Sequence, residues 1–356
     1  MLALSPDPKP TRHPAVQAFA PGRVNLIGEH TDYNGGLALP FALRAGVRVE
    51  ARASSEEEIV ARALDLGEDD RFPLRAIEPA DGWRAFVRGA VAELRGSGVP
   101  IRGATLAISG DLPRGGGLSS SAALTVALCL ALIELAGARR PGALALARIC
   151  SRVEHAWAGA MTGLLDQFAS LCGRERHVLL IDFAALELEH VPLKLAGHRL
   201  VVLDSGERHA HGASGYNERR RECARACELL GVRTLREVTP ERAERLPEPL
   251  RRRVRHVLSE NERVRQAAAA LRAGDMSALG ALLDASHASL RDDYEVSTSA
   301  LEAAVERLRK SGALGARLIG GGFGGAVIGL LPPGVVAPAG ALEVAPGPGA
   351  HASRLA

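Results

Sequence analysis

Lysine is scarce in this chain. Of its 44 basic residues only Lys9, Lys194 and Lys310 are lysines, and none follows a glycine. That excludes a Walker-type phosphate loop, which needs Gly-Lys-Ser/Thr. It also excludes the lysine-bearing strand of the protein kinases. Aromatic residues make up 3% of the chain, too few for the stacking platforms that hold single strands. Charge is nearly balanced, 44 basic against 41 acidic residues for a net +3. No one-signed field remains to attract nucleic acid, and no such partner is expected. The five cysteines, at 129, 150, 172, 223 and 227, are scattered and odd in number. They read as reduced thiols of a cytoplasmic protein rather than a disulfide framework. Long apolar runs are missing too. The longest, Ala122 to Ile133, is too short to cross a bilayer and reads as a buried helix, so no membrane partner is expected. Met1 to Arg12 lacks a charged-then-apolar signal pattern, and its prolines suggest a loose arm.

What is present suits a two-domain α+β chain: 356 residues with 47% hydrophobic content. Alternating Val, Ile and Leu predict strands within 16–50 and 101–109, and later over His177 to Phe183 and Leu200 to Asp204. A helix with serine caps is expected from Ser119 to Leu135, with two more over 142–158 and 161–172. From Tyr216 to about Ser311 the pattern is mostly helical. Ala316 to Leu331 returns to a glycine-rich, strand-like run. The division falls near residue 195, giving units 1–195 and 196–356.

Four segments carry the chemistry. The first, Pro21 to Gly36, packs Arg23, Glu29, His30, Thr31 and Asp32 into a glycine-punctuated apolar stretch. A plain buried strand would not hold so many ionisable groups. The density suits a pocket that reads hydroxyls of a small ligand, although a Gly-, Asn- and Asp-rich turn has a similar composition. The second, Leu112 to Ala123, runs three glycines into three serines at a helix start. Curled backbone N–H groups and the helix dipole would form an anion nest suited to a triphosphate. A glycine turn with a serine cap is the simpler alternative. The third, Gly320 to Gly325, implies positive φ or close backbone approach, either for a ligand or for a strand turn. The fourth, Glu154-His155 and then Gly163 to Phe168, sets Asp166 among apolar neighbours. Asp166 is either a helix cap or a buried carboxylate. A buried carboxylate needs a cationic partner, for which Arg23 is the candidate.

The three glycine-rich blocks, in this order, resemble those of the GHMP kinases. The Gly22–Gly36 block is similar to the galactokinase signature nearly letter for letter. Gly163–Phe168, Tyr216–Arg220 and Ser289–Ser297 are similar to galactokinase segments as well, so the resemblance runs from about Ala20 to Leu331. It implies a ribosomal-protein-S5-domain-2-like N-terminal unit and a ferredoxin-like C-terminal unit, with the active site in the cleft between them. It implies transfer of the γ-phosphoryl of MgATP to the C1 hydroxyl of α-D-galactose, the first phosphorylation of the Leloir pathway. By the same resemblance Asp166 is the catalytic carboxylate and Arg23 its cationic partner. Glu29, His30, Asp32, Gly163 and Tyr216 line the sugar. Gly115, Gly116, Gly117, Leu118, Ser119, Ser120 and Ser121 wrap the phosphates, Trp83 and Phe86 lie by the adenine, and Ser121 and Glu154 hold Mg²⁺. A cytoplasmic monomer is expected.

The chain departs from the family pattern in places. The arm before the signature is short, and Ile319 and Ala326 replace residues that are often Thr and Cys. Pro332 to Ala341 is too short and Pro-rich for the usual helix, leaving Ala341 to Ala345 as a last strand. Kinases of N-acetylgalactosamine, arabinose or a uronic acid are the alternatives within the class. A non-catalytic galactose and ATP sensor is the alternative outside it, disfavoured by Ser121-Ala122. His209 and His211 lack a third metal ligand, Cys223 and Cys227 lack zinc partners, and Arg219–Arg221 and Arg251–Arg253 read as solvated helix faces.

Overall fold

The computed structural model describes residues 14–113, 117–159, 163–207 and 212–355. Its first strands are β1 (Ala15–Asn25), β2 (Leu37–Ala38), β3 (Pro40–Ala53), β4 (Glu58–Ala63), β5 (Glu68–Pro73) and β6 (Ala104–Gly110). They continue as β7 (His177–Asp182), β8 (Glu187–Pro192), β9 (Arg199–Asp204), β10 (Gly315–Ile319), β11 (Ala326–Leu331), β12 (Leu342–Val344) and β13 (His351–Arg354). The helices are α1 (Trp83–Gly96), α2 (Ser120–Leu135), α3 (Ala143–Arg152), α4 (Leu165–Cys172) and α5 (Gly212–Leu230). They continue as α6 (Pro240–Ala243), α7 (Leu250–Ala273), α8 (Met276–Asp292) and α9 (Ser299–Lys310). A π-helical turn over Val153–Trp157 prolongs α3.

Three sheets result, ordered β13-β1-β3-β6-β4-β5, β10-β11-β9-β12 and β2-β7-β8. All pairings are antiparallel except β4 with β6. Helix α2 shows why the apolar run was legible. Ala122, Ala123 and every residue from Thr125 to Ile133 are buried, so it is a core helix with no solvent face. It packs on β1 and β3 within the first core. Strand β9 is buried on both faces. Leu200 and Val202 point to a core shared with α7 and α8, and Val201 and Leu203 to one shared with α5 and α9.

Residues 332–341 form turns and coil rather than a helix. β12 pairs with β9 as the expected last strand of the second sheet. The chain then crosses back: Ala350 N–H donates to the Ser170 carbonyl at 2.8 Å, and β13 pairs with β1. A split near residue 195 falls between β8 and β9, but 351–354 belong to the first sheet.

Two expectations are corrected here. Arg219 and Arg253 are 8% and 1% exposed, not solvated. Arg253 bridges Glu222 at 2.7 Å and Glu295 at 2.6 Å, and Arg219 donates to the Tyr294 carbonyl at 2.7 Å. Buried guanidinium groups survive there because carboxylates and carbonyls satisfy them. Ser119 stands at the start of α2, but in the left-handed region at φ 57° and without capping it. Its hydroxyl donates to Asp166 instead. All five cysteines are free thiols. His209 and His211 lie outside the described residues.

Candidate active site

The β1–β3 ladder shifts register between Pro21 and Arg23, a bulge that re-aims the strand just before the site. The Arg23 guanidinium makes a bidentate pair with Asp166 on α4, Nε to Oδ1 at 2.7 Å and Nη2 to Oδ2 at 3.0 Å. Its Nη1 donates to the Gly117 carbonyl at 2.6 Å, and its backbone N–H to the Leu118 carbonyl at 3.1 Å. One arginine thus joins the signature strand, the α4 carboxylate and the glycine loop. Burial works to lower the Arg23 pKa, but Asp166, Glu29 and Asp32 outweigh it and raise it. The fork geometry fixes the carboxylate's plane as well as its charge.

After β1 the chain turns sharply. Gly28 has φ 102°, and an added Cβ would lie 2.6 Å from Ala38 Cα, so this turn needs glycine. The Thr31 hydroxyl is shared between the Gly28 and Leu37 carbonyls, at 2.9 and 2.7 Å. The turn presents Glu29, His30 and Asp32 together. Glu29 accepts from Gly320 N–H at 2.8 Å and pairs with Arg317 at 3.3 Å. His30 Nδ1 meets the Tyr33 hydroxyl at 2.8 Å, and its Nε2 meets the Gly321 carbonyl at 3.2 Å. Burial first, and then the neighbouring His256, push its pKa down to about 3, so the ring is neutral. The Asp32 carboxyl rises from 3.8 to about 6. Burial is the main cause, and the Asp166 and Glu29 charges add to it. Gly163 fits directly over Asp32, where a Cβ would lie 1.8 Å from Oδ2. The Tyr216 ring sits 5.4 Å from His30 and covers Gly321.

The third glycine block joins β10 to β11 and closes over the signature turn through Gly320 and Gly321. Ile319 and Ala326 are cross-strand partners at its base, 2% and 0% exposed, so their apolar character suits the place.

Beside the start of α2, a cavity of about 400 Å³ is lined by Trp83, Phe86, Ser120 and Ser121, among others. Trp83 is oriented by its indole N–H bond to Glu68 at 2.8 Å. Glu154, 1% exposed, lies on the π-helical turn that packs against α1, α2 and α3. Gly115 and Gly116 lie outside the described residues. No cluster of three or more His, Cys, Asp or Glu suited to a metal occurs among the described residues.

Sequence reasoning missed the layer beneath. On α7, His256 Nε2 meets the Glu29 carbonyl at 3.2 Å. Glu260 accepts from Gly28 N–H at 3.0 Å and from Ser286 at 2.7 Å. Asn261 accepts from Leu37 N–H at 2.8 Å. Burial would raise the Glu260 carboxyl, but Arg263, His256 and Arg317 hold it down at about 2. Arg317, fully buried on β10, donates to the Asn25 and Leu26 carbonyls at 3.2 and 3.0 Å. A signal was available. His256, Glu260 and Asn261 occupy the buried stripe that also carries Val257, Val264, Ala268 and Leu271. Polar residues at core positions of an amphipathic helix call for partners.

Comparison with known proteins shows the family. Family models described as Galactokinase galactose-binding signature, GHMP kinases N terminal domain and GHMP kinases C terminal match residues 10–53, 85–174 and 267–344. A galactokinase of Thermotoga petrophila is 42% identical over 314 residues, 88% of each chain. One of Mycobacterium tuberculosis is 44% identical over 324 residues, 89% of each. Among solved structures, Lactococcus lactis galactokinase complexed with galactose superposes with a TM-score of 0.88 at 32% identity, covering 95% of each chain. Methanococcus jannaschii mevalonate kinase shares the fold, with a TM-score of 0.66 at 18% identity over 96% of this chain and all of that one. The chain belongs to the galactokinase family of the GHMP kinases.

Proposed function

We infer that the chain is an ATP-dependent sugar 1-kinase. It moves the γ-phosphoryl of ATP to the C1 hydroxyl of α-D-galactose, giving α-D-galactose 1-phosphate and ADP. The observation that carries this is the bidentate Arg23–Asp166 pair, set between the signature turn and the glycine loop. An ionised carboxylate offers about four lone-pair sites. Among the described residues Oδ2 receives Arg23 and Ser119, while Oδ1 receives Arg23 alone. Oδ1 therefore keeps a place for the C1 hydroxyl. As that oxygen bonds to the γ-phosphorus, the bond to the leaving ADP oxygen breaks and the proton passes to Asp166. Arg23 offsets charge that builds on the transferring group.

Glu29, His30, Asp32 and Tyr216 would read the sugar, with Gly163 leaving room for the Asp32 carboxylate. A hydroxyl of the wrong epimer would leave these buried groups unpaired, which rejects it strongly. The cavity beside Trp83 and Phe86 suits the adenine, with Gly115 to Ser121 around the phosphates. Ser121 and Glu154 form a hard oxygen donor set that fits Mg²⁺. The ion, bound with ATP, would supply neutralising charge at the phosphates. The cleft lies between units 1–195 and 196–356, and the enzyme acts as a cytoplasmic monomer. No helix among the described residues is long and apolar enough to cross a membrane.

The test is ADP release with MgATP and a panel of galactose, glucose, N-acetylgalactosamine, arabinose and galacturonate. Turnover on galactose far above the others is expected. Preference for another sugar would move the assignment within the class. Galactose binding without turnover would make the protein a sensor.

A further inference from the structure

The aromatic and thiol side chains behind His30 form a chain of hydrogen bonds that the phosphoryl-transfer chemistry does not use. The Tyr33 hydroxyl lies 2.8 Å from His30 Nδ1 and 2.9 Å from the Tyr294 hydroxyl. The Tyr294 hydroxyl in turn lies 3.1 Å from Cys223 Sγ. Asn34 Nδ2 donates to that sulfur at 3.7 Å. Tyr294 and Cys223 are 0% and 2% exposed, and His30 is 4% exposed.

We propose that Cys223, Tyr294 and Tyr33 are positioning residues that lock His30 as its Nε2–H tautomer, so that it meets the sugar as a hydrogen-bond donor. The second half of this rests on the assignment of His30 to the sugar pocket. The proton positions follow from one fixed end. The Gly321 carbonyl can only accept, so the His30 Nε2 that faces it at 3.2 Å carries hydrogen. In a neutral imidazole Nδ1 is then an acceptor, and the Tyr33 hydroxyl must donate to it. That uses the single Tyr33 proton, so Tyr294 donates to Tyr33. The Tyr294 proton is then used as well, so the Cys223 thiol donates to Tyr294. Burial pushes the thiol up to about 11, consistent with the protonated form this order requires.

Each link also has a support. Arg219 donates to the Tyr294 carbonyl at 2.7 Å, and Arg253 to the Asp293 carbonyl at 2.6 Å, which fixes the segment carrying Tyr294. Asn34 donates to the His30 carbonyl at 2.7 Å, fixing the turn that carries the imidazole. In the other tautomer a bare Nε2 would face the Gly321 oxygen, and the reversed relay would end on the Cys223 sulfur, a weak acceptor that already receives Asn34. In the Nε2–H form the proton stays on His30, and its hydrogen bond, made to the Gly321 carbonyl here, can turn to a sugar hydroxyl oxygen that enters beside it.

The experiment is long-range ¹H–¹⁵N correlation on protein labelled in histidine, with the His30 signals assigned from a His30→Asn variant. Wild type is expected to show the Nε2–H pattern for His30; an Nδ1–H pattern overturns the proposal without any further variant. Tyr33→Phe is expected to give mixed tautomers and to raise the galactose KM about tenfold, the loss expected for one buried hydrogen bond, with the ATP KM unchanged. An unchanged tautomer in Tyr33→Phe overturns the relay. A changed tautomer with an unchanged galactose KM upholds the relay and removes His30 from the sugar contacts. If Tyr33→Phe does not fold, Cys223→Ala and Cys223→Ser read the same signal from the far end. The serine variant is expected to keep the wild-type pattern and the alanine variant to weaken it; identical spectra from both would count against the thiol as a donor.

Discussion

Replacing Asp32 by Asn separates the cost of holding a carboxylate in the proposed sugar pocket from its use. Burial, with help from Asp166 and Glu29, raises the folded-state pKa of Asp32 from 3.8 to about 6, against the opposing pull of the Tyr33 backbone N–H and of Arg220. The unfolded chain ionises Asp32 near its ordinary value. Between the two values the folded state holds more protons, so stability falls as pH rises. The contribution is whole below the unfolded value and lost as pH climbs through the folded one. A rise of that size corresponds to about 3 kcal/mol. Asn keeps the shape and removes the titration. Urea unfolding of both proteins between pH 4 and pH 8 should show Asp32→Asn gaining on wild type by about 3 kcal/mol across that window. On the proposed assignment sugar hydroxyls donate to the ionised carboxylate, so galactose binding to wild type should weaken below the folded pKa, while the weaker binding to the Asn variant stays flat. Parallel stability curves for the two proteins would refute the burial argument.

Gly163→Ala would place a Cβ 1.8 Å from Asp32 Oδ2. The carboxylate must swing away, and calorimetry should read a loss of galactose affinity of about tenfold or more with ATP affinity unchanged. Arg253→Met leaves Glu222 and Glu295 facing a gap, and urea unfolding should show a loss of about 3 kcal/mol. Arg251→Met, half-buried on the same helix and paired with partly exposed carboxylates, should cost about 0.5 kcal/mol or less. Glu154→Ala should raise the free Mg²⁺ needed for half-maximal rate while leaving the galactose KM alone; an unchanged magnesium profile would remove Glu154 from the metal site.

Much of the arrangement around the candidate site was legible in the sequence because its residues lie close together along the chain. Glu29, His30 and Asp32 share one turn, and the apolar surroundings of Asp166 demanded a cation that Arg23 supplies. The buried character of α2 followed from its unbroken apolar run. The remainder depends on tertiary contact. Nothing local marks His351–Arg354 as a strand, since its residues are mostly exposed and β1 supplies the pairing. The β4–β5 hairpin alternates with charged residues at the sheet edge and carries a weak apolar signal. Arg219 and Arg253 read as surface residues because their partners, Tyr294 and Glu295, lie on a distant segment. Arg317 sits in a short strand whose five residues are all buried, and its pairing with Glu29 spans most of the chain.

The most direct test of the catalytic assignment is ³¹P and ¹³C NMR of the product formed from galactose and MgATP, with Asp166→Asn run in parallel. The wild-type protein should yield α-galactose 1-phosphate. The Asn variant should bind galactose and lose turnover by about two to four orders of magnitude. Phosphate on another carbon, or wild-type turnover in the variant, would contradict the assignment of Asp166 to the C1 hydroxyl.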